Sequence, residues 1–313
     1  MAASSRAAAA APTTVVDIHT HMYPPQYIKM LEARDTIPLV RHFPQSPSAP
    51  RLVLLESEIP ALQKALHHDD DDAAAAKPPG RPLTSHFVSL DQKMHFMDTH
   101  RIDISVISLA NPWLDFVDAA QSGDVARSVN AEFDDMCRRH HGRLFFFGTL
   151  PLTAPLDTIR GATTVAVARM YLAGVFDRVP RLRMLLAHSG GTLPFLAGRI
   201  ESCLVHDAQL VRDGKVSPRR RTVWDVLREH VYLDAVIYSD VGLKAAIHAS
   251  GGADRLMFGT DHPFFPPVTA DEQGAWESVT LNADAVARAV GEGSDDAAAI
   301  MGLNAVRVLN LKV

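Results

Sequence analysis

The chain has 313 residues, of which 47% are hydrophobic and 21% are charged, and its formal net charge is −5. These are the values of an ordinary globular protein with enough apolar residues for a sizeable core. The acidic balance, with a sequence pI near 6.3, argues against a nucleic-acid-binding surface. No apolar run approaches the roughly 20 residues that a membrane span needs. We therefore expect a protein that binds neither nucleic acid nor membranes.

The two cysteines, Cys137 and Cys203, are too few for a disulfide scaffold. Both fall in helix-like segments, so we expect buried free thiols in a reducing compartment and hence a cytoplasmic protein. Residues 1–14 are Ala-rich with one arginine and resemble neither a secretory signal nor a transit peptide. We expect a disordered extension there, followed by a single domain at 15–313.

The first predicted strand, residues 15–21, ends in two histidines that are separated by one residue, His19 and His21. Side chains alternate along a strand with a period of two, so both imidazoles emerge on the same face. Two imidazoles at the tip of a strand can hold one divalent metal ion. An isolated His-x-His pair is a weak signal, and two surface histidines are the alternative.

A loop follows the first strand at Tyr23-Pro24-Pro25, and the next residues, 26–34, look helical. The patchwork that comes after them ends in Pro78-Pro79-Gly80-Arg81-Pro82. An arginine among three prolines and a glycine sits on a stiffened loop and is pre-ordered to meet an anion. A plain exposed arginine is an equally good interpretation of the local sequence.

From residue 89 onward, helical segments alternate with short apolar strands that end in polar residues. Ser89 is the predicted N-cap of the first of these helices. The predicted strands cover residues 102–109, 144–150, 182–187, 231–236 and 255–260. The predicted helices cover residues 89–100, 124–140, 162–176, a stretch through about 206, 222–229, 241–248, and two more from about 282 and 294.

This alternation is typical of an α/β fold with a parallel sheet. In a β/α barrel, functional residues gather at the carboxyl ends of the strands. Polar residues that could act as ligands follow the predicted strands at His19, His21, Asn111, His188 and Asp261. A purely structural explanation would need all of these to face one end of the sheet by accident. The sequence therefore predicts a functional site at that end.

Three motifs together resemble the amidohydrolase superfamily: Asp17–His21 (DIHTH), Leu186–Gly191 (LAHSGG) and Phe258–Pro263 (FGTDHP). More closely, they are similar to its non-hydrolytic decarboxylase branch, the relatives of aminocarboxymuconate semialdehyde decarboxylase. The similarity runs from about residue 15 to the C-terminus. Residues 174–265 are most similar to fungal members that act on uracil-5-carboxylate in pyrimidine salvage. The resemblance implies a (β/α)8 barrel of the TIM type and a carbon–carbon lyase.

The resemblance also implies a cofactor. His19, His21 and Asp261 would hold a divalent metal, with zinc the favoured ion, and His188 would be the non-ligand histidine beside it. Asp261 or His188 would supply the proton that replaces the departing carboxylate.

The substrate implied by the resemblance is a small aromatic or pyrimidine carboxylate, with uracil-5-carboxylate favoured. Arg81 and Asn111 would contact it, and Phe264 would form a wall for its ring. Homodimers are common in the branch, so we expect a homodimer by analogy.

One part of the family pattern does not carry over. No histidine occurs between His141 and His188, where the branch has its third metal histidine. About six strands of the βα type are predicted, whereas the family barrel has eight. We infer a distorted or incomplete barrel that lacks a segment near 156–164, through a skipped exon or an incomplete gene model. We therefore expect the chain as written to have little activity.

Two alternatives remain at this point. A metal-dependent hydrolase of an amide or a lactone would use the same ligands, although the chain has no carbamylated-lysine position, which favours the decarboxylase branch. The missing histidine and strands also permit a non-catalytic remnant. Metal content discriminates between an enzyme and a remnant.

Overall fold

The structure is a computed structural model that describes residues 14–44, 46, 49–67, 78–150, 163–207, 209, 212, 213, 220–267 and 275–312. Residues 1–13 of the predicted extension lie outside the described residues. So does nearly all of the region near 156–164 where we infer a missing segment.

The described residues form two parallel three-stranded sheets and one small antiparallel sheet. The strands are β1 Val16–Met22, β2 Leu39–Arg41, β3 Arg51–Val53, β4 Arg81–Pro82, β5 Ile104–Leu109, β6 Leu144–Phe146, β7 Met184–Leu186, β8 Val231–Asp234 and β9 Leu256–Met257. In the parallel sheets, β5 lies between β1 and β6, and β8 lies between β7 and β9. These six strands confirm the six that the sequence predicts. The antiparallel sheet has the order β2-β3-β4.

The two parallel sheets meet where the segment after β9 runs beside β1. The amide of Ile18 donates to the carbonyl of Phe258 at 3.1 Å, and the amide of His21 donates to the carbonyl of His262 at 2.8 Å. Thr20 and His262 also form a parallel bridge. The strand order is therefore β6-β5-β1-β9-β8-β7, and the carboxyl ends of all six strands point the same way. Within the described part of the chain, β6 and β7 are each paired on one side only.

Helices follow most of the parallel strands. They are α1 Pro25–Glu32, α2 Ile59–His67, α3 Ser85–Val88, α4 Leu90–Thr99, α5 Ala119–Arg139, α6 Thr163–Leu172, α7 Val175–Arg178, α8 Leu193–His206, α9 Val223–Glu229, α10 Asp240–Ser250, α11 Glu277–Val290, α12 Asp295–Ala298 and α13 Asn304–Leu309. A π-helical turn, Ala299–Leu303, joins α12 to α13. The predicted cap of α4 is confirmed, because the Ser89 side chain accepts from the amide of Gln92.

The longest helix, α5, shows how the apolar pattern determines packing. Its buried positions Ala126, Val129, Phe133 and Met136 recur every three or four residues and form one stripe. This stripe faces the sheet, where the Phe133 ring lies 5.8 Å from the ring of Phe146, the last residue of β6. The helix therefore covers the β5–β6 side of the sheet.

Alternate residues of the parallel strands pack together on one face of the sheet. Val16 and Ile18 on β1 and Ile104 and Val106 on β5 form one buried cluster, as the period of two requires. Helix α13 covers one end of this cluster through Ala305. A cavity of about 640 Å³ opens beside the cluster, between the end strands β6 and β7, and is lined by Phe147, Arg183, Met184, Leu185, Tyr232, Arg307, Val308 and Leu309.

Both cysteines are free and lie on helices, as predicted. Cys137 is half-buried, but Cys203 is exposed, so the expectation of two buried thiols is wrong for Cys203. The buried residues of α8 include Leu193 and Ala197, and position 203 falls off their stripe. Among the described residues, no helix has the length and apolar character needed to cross a membrane.

Candidate metal centre

The structure brings the two histidines of β1 and the aspartate after β9 to one point. Nε2 of His19 lies 3.4 Å from Oδ1 of Asp261, and Nε2 of His21 lies 3.5 Å from the same oxygen. In a tetrahedral zinc site with metal–ligand distances near 2.1 Å, ligand atoms are about 3.4 Å apart. Each imidazole therefore stands at the distance from the Asp261 oxygen that a shared divalent metal ion requires, and the donor types fit such an ion.

His188, at the end of β7, also reaches this point. Its ring centroid is 4.9 Å from that of His19, and donor atoms of His19, His188 and Asp261 all lie within 4.8 Å of one another. His188 is exposed, whereas His19 and Asp261 are buried. Four predicted site residues thus converge from three strands. Whether His188 is a ligand or a neighbouring group stays a prediction.

The backbone is in the left-handed region at three positions of this site. The φ angles are 58° at Asp261, 53° at His188 and 51° at Ser189, and each costs a non-glycine residue roughly 1–2 kcal/mol. Hydrogen bonds hold these conformations. The Asp261 amide donates to the carbonyl of His19 at 2.8 Å, and the Asp234 carboxylate accepts from the amides of His188 and Ser189 at 2.9 and 2.8 Å.

Asp234, the last residue of β8, was not singled out from the sequence. Its Oδ2 lies 2.5 Å from Nδ1 of His19, and its side chain is 1% exposed. A carboxylate on one ring nitrogen fixes the tautomer and orientation of a ligand histidine and directs the other nitrogen to the metal. An aspartate inside an otherwise apolar predicted strand was the signal that could have identified it.

Two other residues at the site were also missed. Oγ of Ser108 lies 3.0 Å from Nδ1 of His21 and donates to the carbonyl of Thr20 at 3.3 Å. The His21 tautomer that carries its proton on Nδ1 fits both contacts of this hydroxyl and leaves Nε2 for a metal. The hydroxyl of Tyr238 donates to Oδ2 of Asp261 at 3.4 Å, on the side of the carboxylate away from the imidazoles.

The ionisation of the site follows from burial and from these pairs. Burial alone would lower the pKa of His19, but hydrogen bonds to Asp234 and Asp261 raise it to about 10. Burial lowers the pKa of His21 to about 4, although Asp261 opposes this. Burial would raise the pKa of Asp261, but hydrogen bonds from His19 and His21 hold it well below its usual range. A metal that binds here must displace the proton of His19.

Arg81 lies between two aromatic rings at the edge of the site. Its guanidinium carbon is 4.8 Å from the ring centroid of Phe264 and 5.3 Å from that of Phe87. One terminal nitrogen donates to the Tyr23 hydroxyl and, at 2.6 Å, to the Asn111 carbonyl. Its buried Nε has no hydrogen-bond partner among the described residues. Arg81 is therefore a held, half-buried arginine whose buried Nε is without a partner among the described residues, not a plain exposed one.

Phe264 and Asn111, the other two predicted substrate residues, contribute different groups to the site: a side-chain ring and a backbone carbonyl. The Phe264 ring lies 5.2 Å from the His21 ring in an edge-on arrangement. It therefore lies beside the proposed metal ligands, where a residue that bounds the substrate ring is expected. Asn111 contributes its backbone carbonyl, which accepts from Tyr23 at 2.5 Å and from Arg81. Its side chain is exposed.

Comparisons with known proteins agree with this geometry. The family model described as amidohydrolase matches residues 152–311, a little more than half of the chain. The crystal structure of IDCase from Metarhizium anisopliae in apo form is 61% identical, with a TM-score of 0.87 over 96% of this chain and 98% of that chain. The chain belongs to the amidohydrolase family. Structures of this family are TIM barrels, so the α/β barrel prediction is confirmed at that level.

Two other proteins are less similar in sequence to the chain. The 2-amino-3-carboxymuconate-6-semialdehyde decarboxylase of Dictyostelium discoideum is 31% identical over 33% of this chain. The chain spans 27% of the length of that relative. A 5-carboxyvanillate decarboxylase from Novosphingobium aromaticivorans, complexed with manganese, is 15% identical with a TM-score of 0.67 over 96% of this chain and 97% of that chain. The last comparison bears on the fold alone.

Proposed function

We propose that this amidohydrolase is a metal-dependent, non-oxidative decarboxylase that converts uracil-5-carboxylate (isoorotate) to uracil and CO₂. The observation that carries the proposal is the convergence of His19, His21 and Asp261 on one point, beside Arg81 and Phe264. The 61% identity to the Metarhizium enzyme, an isoorotate decarboxylase, over almost its whole length supports the choice of substrate.

The donor set fits a divalent metal, which His19, His21 and Asp261 would hold, and we propose zinc because imidazole and carboxylate donors at this spacing suit it. When bound, the ion would act as a Lewis acid toward the substrate's carboxylate and the adjacent ring oxygen. Asp234 and Ser108 contact the Nδ1 atoms of His19 and His21, respectively, and so orient the two imidazoles.

The other side chains bind and orient the substrate. The guanidinium of Arg81, whose carbon lies 4.8 Å from the Phe264 ring centroid, pairs with an anionic oxygen of the substrate, and its charge assists that hydrogen bond. The Phe264 ring stacks against the pyrimidine. Asn111 holds the guanidinium in place through its carbonyl, and its exposed side chain is free to contact the substrate.

Decarboxylation requires a proton at C5 of the ring. The bond from C5 to the carboxylate carbon breaks, CO₂ leaves, and the proton takes its place on C5, so that charge and atoms balance. Oδ1 of Asp261 faces two imidazoles, and the residue is 6% exposed. His188 is exposed and can recover a proton from solvent after each turnover. We therefore assign the proton donor to His188.

We also propose that the chain lacks about two strands between β6 and β7. Two observations support this: the absence of a histidine between His141 and His188, and the six parallel strands, of which β6 and β7 are each paired on one side only among the described residues. A site short of one imidazole binds its metal more weakly, by at least the roughly 10–100-fold that follows loss of an outer-shell partner. The chain as written should then bind zinc poorly and turn over slowly.

The experiment compares this chain with a version that carries the restored segment, after sequencing the transcript across the codons for 156–164. Metal per chain and release of CO₂ and uracil from uracil-5-carboxylate are measured for both. We expect stoichiometric metal and turnover in the restored protein only. Family-like turnover by the chain as written would overturn the proposed deletion. Amide or lactone hydrolysis without CO₂ release would favour a hydrolase, and two metal-free, inactive proteins would indicate a non-catalytic remnant.

We propose a cytoplasmic homodimer that works in pyrimidine salvage. The support is the family resemblance together with two free cysteines. Cell fractionation and light scattering of the purified protein test the location and the oligomeric state.

A further inference from the structure

Lys93 on α4 is a charged side chain that the proposed mechanism does not use. It is 0% exposed, and lysine is almost never fully buried unless it is paired. Its ammonium donates to the hydroxyl of Thr20 and lies 3.5 Å from Nδ1 of His262. Burial lowers its pKa to about 8, although the charge of Asp17 opposes this. Burying an ammonium group costs free energy, and a contribution of Lys93 to structure or function must offset that cost.

The two partners of Lys93 lie within the segments that carry the metal ligands. Thr20 stands between His19 and His21, and His262 follows Asp261. The Thr20 hydroxyl donates to the carbonyl of His262 at 3.1 Å, so it accepts from Lys93. The ammonium is thus the third member of a junction between the tip of β1 and the segment after β9.

We propose that Lys93 is a positioning residue that ties the tip of β1 to the segment after β9 and thereby holds the metal ligands at their working distances. The helix that carries it supports both sides of the junction. Phe96, one turn further along α4, stacks on the ring of His262 with centroids 3.7 Å apart. The metal-affinity part of this proposal rests on the proposed function, whereas the junction itself does not.

A purely structural role for Lys93 would be to neutralise the buried carboxylate of Asp17, which is 0% exposed. Asp17 already accepts from the hydroxyl and amide of Thr260 at 2.8 and 3.1 Å and from the amide of His19 at 3.2 Å. Loss of charge balance alone would weaken the whole fold. Loss of the junction would loosen the ligand segments first, and this difference is measurable.

The test uses the full chain with Lys93→Met, which keeps the stem and removes the ammonium, and Thr20→Val, which removes the hydroxyl. Lys244→Met is the matched control, because Lys244 is an exposed lysine on α10 paired with Asp240 at 2.8 Å. The first readout is amide hydrogen exchange of the metal-free proteins. Because the variant loses a hydrogen bond from a charged group, we expect exchange at least about tenfold faster in Lys93→Met.

The acceleration should be confined to the amides that join the two segments, those of His21 and Asp261, with α9 unchanged relative to the Lys244→Met control. The double variant should exchange no faster than the more affected single variant, since both changes break one junction. Equal acceleration throughout the fold, no acceleration, or additive effects of the two changes would each overturn the proposal.

Zinc affinity is the second readout. We expect Lys93→Met to bind zinc about tenfold more weakly than the wild-type chain, as outer-shell changes do, and Lys244→Met to bind it unchanged. Unchanged affinity in Lys93→Met, together with local exchange that is also unchanged, would leave Lys93 with a structural role only and overturn the proposal. If neither the chain as written nor the restored chain takes up zinc, the proposed function fails, but the exchange measurement still decides the role of Lys93.

Discussion

Nδ1 of His19 and Oδ2 of Asp234 lie 2.5 Å apart, and both side chains are buried. The same carboxylate accepts from the amides of His188 and Ser189 and, through Oδ1, from the amide of Val236 at 3.0 Å. One aspartate therefore orients a ligand histidine on β1 and shapes the loop after β7. The position of three strand ends depends on it.

Replacing Asp234 with asparagine should lower metal affinity about 10–100-fold, because the amide cannot accept from all these donors or hold the His19 tautomer as a carboxylate does. Competition for zinc with a chromophoric chelator measures the effect. Asp254→Asn, at a carboxylate that is 65% exposed beside Arg255, is the control and should change nothing. Unchanged affinity in Asp234→Asn would show that the 2.5 Å contact does not tune the metal.

The ligand set can be separated from the proton donor by paired variants. His21→Ala should reduce bound metal, because a direct ligand is lost. His188→Ala should keep the metal and lose most turnover, because the proton donor is lost. Metal analysis and CO₂ release are measured on the restored chain. Loss of metal in His188→Ala would make His188 a ligand, as the grouping of its donor atoms with those of His19 and Asp261 permits.

Stability of the metal-free protein should depend on pH in two directions around pH 6.5, the ordinary histidine value. The pKa of His19 is raised to about 10, so its contribution is complete below pH 6.5 and is lost as the pH rises through 10. The pKa of His21 is lowered to about 4, so its contribution is present above pH 6.5 and is lost as the pH falls through 4.

Urea unfolding in the presence of a metal chelator, from pH 4 to pH 10, measures this dependence. Relative to wild type, His19→Gln should flatten the loss of unfolding free energy between pH 6.5 and 10, and His21→Gln should flatten the loss between pH 6.5 and 4. The differences isolate these two imidazoles from other titrating groups. Parallel curves for wild type and His19→Gln would contradict the raised pKa.

Arg81→Lys should raise the KM for uracil-5-carboxylate about tenfold or more and leave metal content unchanged. Lysine keeps the charge but loses the planar group that lies 4.8 Å from the Phe264 ring and its fixed fork of N–H donors. Steady-state kinetics of the restored chain provide the measurement. Arg127→Lys, in an exposed ion pair on α5, should behave as wild type. A KM that does not change would remove Arg81 from the substrate site.

Gly259→Ala should destabilise the fold by about 1–3 kcal/mol, as overpacking does. An added Cβ would lie 2.6 Å from Cβ of His19 and 2.8 Å from Cγ2 of Val236, which is too close for either neighbour to accommodate without moving. Gly198→Ala is the control, because its Cβ would meet only a Trp224 ring atom at 3.7 Å. Equal unfolding free energies of the two variants would show that β1 can move away from β9.

Local sequence patterns were sufficient to predict the parallel strands and the polar residues at their carboxyl ends. Short apolar runs followed by polar residues place His19, His21, His188 and Asp261 at strand ends, because strand periodicity depends on neighbouring residues only. Parallel strands joined by helices then bring those ends together. The family motifs added the expected roles, and the structure brings the four side chains within a few ångströms.

Only the tertiary structure decided which side chains contact and orient the proposed metal ligands and the segments that carry them. Asp234 is 215 residues from His19, Ser108 is 87 residues from His21, and Lys93 is 73 residues from Thr20. No local pattern connects such residues, because their contacts depend on strand order and on the exact approach of β9 to β1. Each is an ordinary aspartate, serine or lysine in the sequence, and becomes part of the site only when the folded chain buries it against a partner.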